Sequence, residues 1–303
     1  MALRIIEFFG FEPLREEARQ YVEGKICPFI GSACIKPNHG SCSVKQTISE
    51  PIICCPNRLY ADHYRILADI ARETFGPNTI LTRSGDARAM RQAGTLTGNE
   101  AVAFGHLWTG ELSIPKPAGK SGKGKSSFYV DWVIAKVNSN GELEEFTAVE
   151  VQTIDTTGNY REQSDAFFSF EPFTKGNGKG YSDAGMNWEN VNKRILPQLI
   201  YKGHVLRREA KCSKGLFFVC PSQVYQKIKD RLGDNLLEYN IGNGTITFRA
   251  YDLGPLDSIT GQRGLLYKEQ FTTTIDQLAV AFTSPMNLPP QNVYAAAINN
   301  AIT

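Results

Sequence analysis

Asn140 and Gly141 stand between two runs rich in β-branched and aromatic residues, FYVDWVIAKV (128–137) and EEFTAVEVQTID (144–155), joined through NSNGEL. An Asn-Gly pair in this setting is the strongest short-range hairpin signal, because a two-residue type I′ turn needs positive φ at both central positions. Such a turn fixes the register. Ser139 then faces Glu142 and, counting back along both strands, Asp131 faces Glu150. Side chains alternate across a strand, so Glu150 and Gln152 project to the same face. Asp131 stands against Glu150 with Cβ atoms about 4.5–5.5 Å apart. Facing carboxylates repel and weaken a hairpin unless something positive lies between them. A divalent cation meets that need, and hard cations such as Mg²⁺ take carboxylate, water and phosphate oxygens. The plainer reading of Glu150 and Gln152 is the solvated side of an edge strand. A one-residue bulge would break the register.

Around this hairpin the chain reads as α/β. Residues 58–75 put Leu59, Tyr60, Tyr64, Leu67, Ile70 and Ala71 on one stripe, the mark of an amphipathic helix ended by GPNT. Residues 80–99 are polar and arginine-bearing, and VAFGHLWTGELSI (102–114) is strand-like. Residues 156–186 are irregular and glycine-rich, and 187–211 form a helix bent at Pro197. GLFFVCP (215–221) is a short buried strand, and Ser222 caps a helix over 222–232. Further strands follow, then helical patterns near 273–283 and 291–303. The sheet is expected to be mixed and flanked by helices. With 42% hydrophobic and 21% charged residues the composition is that of a soluble globular protein, and a net charge of +2 makes any basic footprint local. No signal peptide or membrane-length apolar run is present, so the expected location is the cytoplasm, with no membrane partner.

Of seven cysteines, five fall between residues 27 and 55. In a reducing compartment such a cluster reads as a metal site before a disulfide framework. Cys27, Cys34, Cys42 and Cys55 are separated by six, seven and twelve residues, with Cys54 competing for the fourth place. Four thiolates in a tetrahedral array suit Zn or a single Fe. His39 lies inside the cluster as a possible substitute, and His63, His106 and His204 are isolated. The chain is expected to divide into a cysteine-bearing segment, 1–57, and a larger domain, 58–303.

The Asp131–Glu150–Gln152 arrangement resembles the PD-(D/E)xK nuclease core, in which an Asp on one strand and a Glu on the next bind Mg²⁺. There the residue two beyond the Glu is usually lysine. Here it is Gln152, as in the E-x-Q variant known among restriction endonucleases. The neutral amide orients water or a phosphate oxygen by hydrogen bonds instead. With the upstream pattern CPF…C…CSV…CPNR and the downstream DWVIAKV…VEVQTIDTTGNYR, the chain resembles the NotI family of type II restriction endonucleases. At about this length it looks like the EagI-type members. The resemblance covers Cys27 to about Arg161. It implies a homodimer cutting double-stranded DNA at a palindromic GGCC-centred site (CGGCCG-like) with Mg²⁺, and a structural iron held by four cysteines. By position it assigns Cys27, Cys34, Cys42 and Cys55 to the structural metal, Cys55 being preferred to Cys54 because it precedes PNR. Asp131, Glu150 and Gln152 fall on the active site.

Other signals compete. GKSGKGKS (119–126) fits a Walker A pattern, but that mechanism needs a helix after the loop, and here a strand follows. Lys120, Lys123 and Lys125 suit a basic loop tracking a DNA backbone. Glu111 is a candidate third acid or an exposed glutamate. Arg83, Arg88 and Arg91 are candidates to read guanine, whose O6 and N7 take arginine bidentately. Lys175, Lys179 and Asn187 are candidate backbone contacts, beside Tyr181 and Lys193. The remaining alternatives are a metal-containing DNA-binding module without catalysis and a P-loop NTPase.

Overall fold

The computed structural model describes residues 2–302 except 37–39, 106, 109–111, 115–127, 159, 176–179 and 285–288. Glu111, Lys120, Lys123, Lys125, Lys179, His39 and His106 therefore lie outside the described residues, as does the Walker-like stretch.

The chain opens with β1 (Leu3–Glu7) and a short helix α1 (Arg19–Gly24). β2 (Ser43–Gln46) and β3 (Ile52–Ile53) join β1 in a three-stranded antiparallel sheet. Helix α2 (Ala61–Phe75) follows a 3₁₀ turn over Pro56–Tyr60. Its head is left-handed: Asp62, His63 and Tyr64 have φ of 57°, 58° and 62°, and the regular turns come after them. Next come β4 (Ile80–Arg83), α3 (Ser84–Ala93), β5 (Glu100–Gly105), β6 (Trp132–Val137) and β7 (Leu143–Val151). α4 (Arg161–Phe168), α5 (Leu196–Leu206), β8 (Leu216–Pro221) and α6 (Ser222–Leu232) lead to the long hairpin β9 (Thr245–Leu256) and β10 (Arg263–Thr274). Helices α7 (Ile275–Thr283) and α8 (Val293–Ile302) close the chain.

Seven strands form one mixed sheet in the order β10-β9-β8-β7-β6-β5-β4. β7, β8 and β9 are parallel, β4 and β5 are parallel, and β6 and β10 run against their neighbours. Alternation sorts its side chains into two cores. Val149, Val151, Phe217, Val219, Trp132 and Ile134 meet Ile66, Leu67 and Ile70 of α2. Ala148, Leu216, Phe218, Ile246 and Phe248 meet Leu196 and Leu199 of α5, Val224 and Ile228 of α6 and Ile275 and Leu278 of α7. Leu3, Ile5 and Val44 of the N-terminal sheet share that second cluster.

The hairpin register is as read, by a different route. Trp132 pairs with Val149, Ile134 with Thr147 and Lys136 with Glu145, which sets Asp131 opposite Glu150 one step beyond the ladder. The turn, however, is not type I′, since Asn140 is not among the residues with positive φ. Gly141 N–H donates to the Asn138 carbonyl (2.9 Å), Gly141 has φ +75°, and the Asn138 side chain accepts from Asn140 N and Glu142 N. This three-residue loop moves the register by one. A bulge at Glu144, between the Lys136–Glu145 and Val137–Leu143 pairs, moves it back.

One local reading needs extending and another correction. Residues 80–99, polar and arginine-bearing and given no element above, form β4 and α3. That helix buries only Ala87, so its apolar face is narrow and carries no large aliphatic or aromatic stripe. Ser222 does not cap α6. Pro221 holds the N-cap position, and the Ser222 hydroxyl donates to the Asp252 carboxylate. The strand-like reading of 102–114 holds at both ends: β5 runs to Gly105, and Ser113–Ile114 pair antiparallel with Phe128–Tyr129. A Cβ at Gly105 would lie 2.3 Å from the Trp132 ring, so glycine lets Trp132 close over β5 beside Asp131.

A buried ion pair ties the N-terminal sheet to the rest. Arg58 Nε lies 2.5 Å from Glu7 Oε1, both side chains fully buried. Ser43 Oγ donates to Glu7 Oε2, and Arg58 Nη2 donates to the Arg263 and Gly264 carbonyls. Removing one partner leaves an uncompensated buried charge. Arg58→Met is therefore expected to cost about 3–5 kcal/mol, read as a fall in the denaturation midpoint. A change under about 1 kcal/mol, the range of exposed pairs, would contradict this.

Candidate active site and cysteine cluster

Asp131 sits where the chain bends into β6. Its Oδ2 accepts a hydrogen bond from Val151 N–H (2.8 Å), so a side chain clasps the two strands where their ladder stops. Glu150 lies one residue earlier on β7, on the face of Ala148 that meets α5. Its Oε1 is 2.5 Å from Lys202 Nζ of α5, each side chain 11% exposed. Burial, and next the Asp131 charge, push the Glu150 carboxyl up to about 8, against the pull of Lys202 and of the Asp131 backbone N–H. Gln152 follows beyond the strand, partly buried. Its backbone N–H donates to Val219 O (3.0 Å) and its amide to Thr153 O (3.2 Å). Behind the site, Trp132 Nε1 donates to Tyr60 Oη (2.9 Å). Tyr60 titrates well above its ordinary range, through burial and then the Asp131 charge.

The two facing carboxylates, Asp131 half-buried and Glu150 buried, are oxygen ligands suited to a hard cation, and the Lys202 ammonium is paired with one of them. Sequence reasoning missed Lys202. The available signal was its place in the helix: Ile195, Leu199, Lys202 and Leu206 follow a spacing of four, three and four, so the lysine occupies a position of the buried stripe.

The other candidates are scattered. Arg83 ends β4 at the same end of the strands as Asp131, two strands away, its guanidinium 5.1 Å from the Trp108 ring centroid. Arg88 and Arg91 lie on α3. Arg91 packs against Gly141 at the hairpin turn, about 20 Å along β6 from Asp131 at ~3.3 Å per residue. Lys175 pairs with Glu162 on the surface. Asn187 N–H donates to Asp155 O (2.8 Å), just past Gln152 in the chain.

The cysteines divide clearly. Cys42 precedes β2, and its carbonyl accepts from both Cys54 N–H (3.0 Å) and Cys55 N–H (3.3 Å) after β3. Cys27, Cys34, Cys42 and Cys55 line one cavity of about 20 Å³, with Lys36, Ser41 and Phe168 in its wall. Cys54 does not line it. Its Sγ lies 3.2 Å from Ser41 Oγ and 3.5 Å from Ser41 O. Burial pushes Cys55 up to about 12, and Cys42 rises well above the usual thiol range through burial and then Cys55. Among the described residues no three His, Cys, Asp or Glu side chains are already gathered as ligands around one point. Among those residues also, no helix is long and apolar enough to cross a membrane.

The family model described as restriction endonuclease NotI matches residues 12–230, more than two thirds of the chain. No curated protein matches it.

Proposed function

The chain belongs to the NotI family of restriction endonucleases, and so is a type II restriction endonuclease, a hydrolase acting on DNA; from that premise we propose that it is an EagI-type, Mg²⁺-dependent enzyme. It cuts a palindromic GGCC-centred site as a homodimer in the cytoplasm, with a PD-(D/E)xK core. The observation that carries this reading is Asp131 and Glu150 brought together at the paired ends of β6 and β7.

Asp131 and Glu150 would hold the Mg²⁺. An Mg²⁺ ion held there would supply a water of lowered pKa and offset negative charge developing on the phosphoryl oxygens. The Val151 N–H fixes Asp131, and Lys202 fixes Glu150, before DNA arrives. Gln152, a neutral amide, orients water or a phosphate oxygen. Among the arginine candidates, Arg83 is at the Asp131 end of the strands and suits base contact there, while Arg88 and Arg91 suit contacts toward the hairpin turn. Lys120, Lys123, Lys125, Lys175, Lys179 and Asn187 serve as backbone contacts, and Glu111 as a third acid. Cys27, Cys34, Cys42 and Cys55 would hold one Zn or Fe. The shared cavity and its soft donors fit such an ion, and four thiolates leave no open position for catalysis.

Three assays run side by side test the reading: plasmid digestion with Mg²⁺, phosphate release from nucleotide, and gel shift. Discrete fragments are expected. Phosphate release would indicate an NTPase, and a shift without cutting would indicate a binding module. Because a palindrome is read with two-fold symmetry, sedimentation of the DNA complex is expected to show two 33.6 kDa chains per site. One chain per site would refute the dimer.

A further inference from the structure

Helix α5 begins irregularly. Val191–Ile195 form a π turn, and Pro197 follows at the head of the helix. Proline cannot donate to the carbonyl four residues back, and its ring crowds that carbonyl, so a widened turn relieves the clash. π turns of this kind gather at functional sites. Ile195 at the end of that turn, and Leu199, Lys202 and Leu206 of the regular helix, then face the sheet. The three apolar residues are at most 5% exposed and belong to the core. Lys202 takes the remaining place, its ammonium 2.5 Å from Glu150 Oε1 and its side chain 11% exposed.

Folding does not account for a lysine there. Lysine is among the residues least often buried. A buried ion pair is also no more stabilising than well-packed apolar side chains of like volume. A leucine at 202 would simply continue the stripe. The strand, for its part, carries no cation at this point, since the residue two beyond Glu150 is the neutral Gln152.

The geometry points to Lys202 as the cationic residue of the active site, delivered from helix α5 and not from the strand that carries Glu150. It is a positioning residue: it holds the Glu150 carboxylate from the helix side and keeps a fixed positive charge beside the two acids, where a scissile phosphate is to be seated. A charge placed before the substrate arrives requires no reorganisation during reaction. The inference rests on the nuclease reading above and adds to Asp131, Glu150 and Gln152 a fourth residue, 52 positions away in sequence from Glu150.

Wild type, Lys202→Met, Lys202→Arg and the double variant Lys202→Met/Gln152→Lys are compared in Mg²⁺-dependent single-turnover cleavage. Binding is measured in Ca²⁺ to a duplex carrying the site mapped from the wild-type digest. Methionine keeps the length of the side chain, and thermal melting checks the fold of each variant. Lys202→Met is expected to slow cleavage about 100-fold or more with binding changed less than about threefold, the pattern of a group acting on the transition state. Lys202→Arg, or the lysine restored at 152, is expected to return at least about tenfold of that loss. Lys202→Met cleaving within about threefold of wild type overturns the inference alone. So does failure of both rescues, which assigns Lys202 a structural role. A wild type that cuts no DNA overturns the nuclease reading and this inference together.

Discussion

Asp131→Ala and Glu150→Ala are each expected to abolish DNA cleavage and leave sequence-specific binding largely intact. Both acids lie at the joined ends of β6 and β7, and neither is among the candidates for base contact. A metal at a phosphoryl centre supplies several kcal/mol of charge stabilisation, and each ~1.4 kcal/mol is tenfold in rate. Loss of about a thousandfold or more follows. The two variants differ in what else they disturb. Asp131→Ala releases Val151 N–H, whereas Glu150→Ala strips the partner from a Lys202 ammonium that is mostly buried. Glu150→Gln keeps the shape and separates these effects, since it removes the carboxylate charge while retaining an acceptor for Lys202. Gln152→Ala should lose less than either acid, because it removes a hydrogen-bonding amide and no charge. Binding assays in Ca²⁺ beside Mg²⁺ cleavage assays make the comparison. Cleavage at wild-type rates in either alanine variant would end the assignment of the site.

Serine at Cys27, Cys34, Cys42 or Cys55 is expected to lower metal content and stability together, while serine at Cys54 leaves both nearly unchanged. The four residues share one small cavity, and Cys54 is turned toward Ser41. Structural zinc in small domains contributes on the order of 10 kcal/mol to folding, so a lost thiolate should be felt well beyond the cost of a buried methylene. Metal analysis of freshly purified variants, with melting curves before and after chelation, reads both effects. A full complement of metal in Cys55→Ser with loss in Cys54→Ser would reverse the choice of fourth ligand. Wild-type protein purified without any Zn or Fe would remove the site.

Much of the β6–β7 hairpin was legible because its signals are local. Alternating apolar residues in 128–137 and 144–151 define the strands, and the buried run at 216–221 defines their parallel neighbour. The register was legible for an incomplete reason. A type I′ turn at Asn140–Gly141 and the observed three-residue loop differ by one residue, and the bulge at Glu144 cancels the difference. Such compensation depends on how the finished sheet twists and packs, which no window of sequence contains. β4 and α3 were hidden because α3 buries a single alanine and β4 is a four-residue edge strand. Lys202 was hidden differently. Its helix was recognised, but the acid it meets lies on another element, and only packing of α5 on β7 joins them. The arginines of 83–91 illustrate the same limit: they are close in sequence, yet Arg83 stands at the Asp131 end of the strands and Arg91 at the turn end of the hairpin.

The Asp131–Glu150 pair is expected to make this chain a site-specific, Mg²⁺-dependent nuclease. Digestion of a sequenced plasmid by wild type and Asp131→Ala, each with Mg²⁺ and with chelator, followed by sequencing of the fragment ends, tests it directly. Discrete fragments whose ends map to one GGCC-centred palindrome, formed only by wild type and only with Mg²⁺, are the predicted result. Cutting that survives the chelator, or is shared equally by Asp131→Ala, would contradict it.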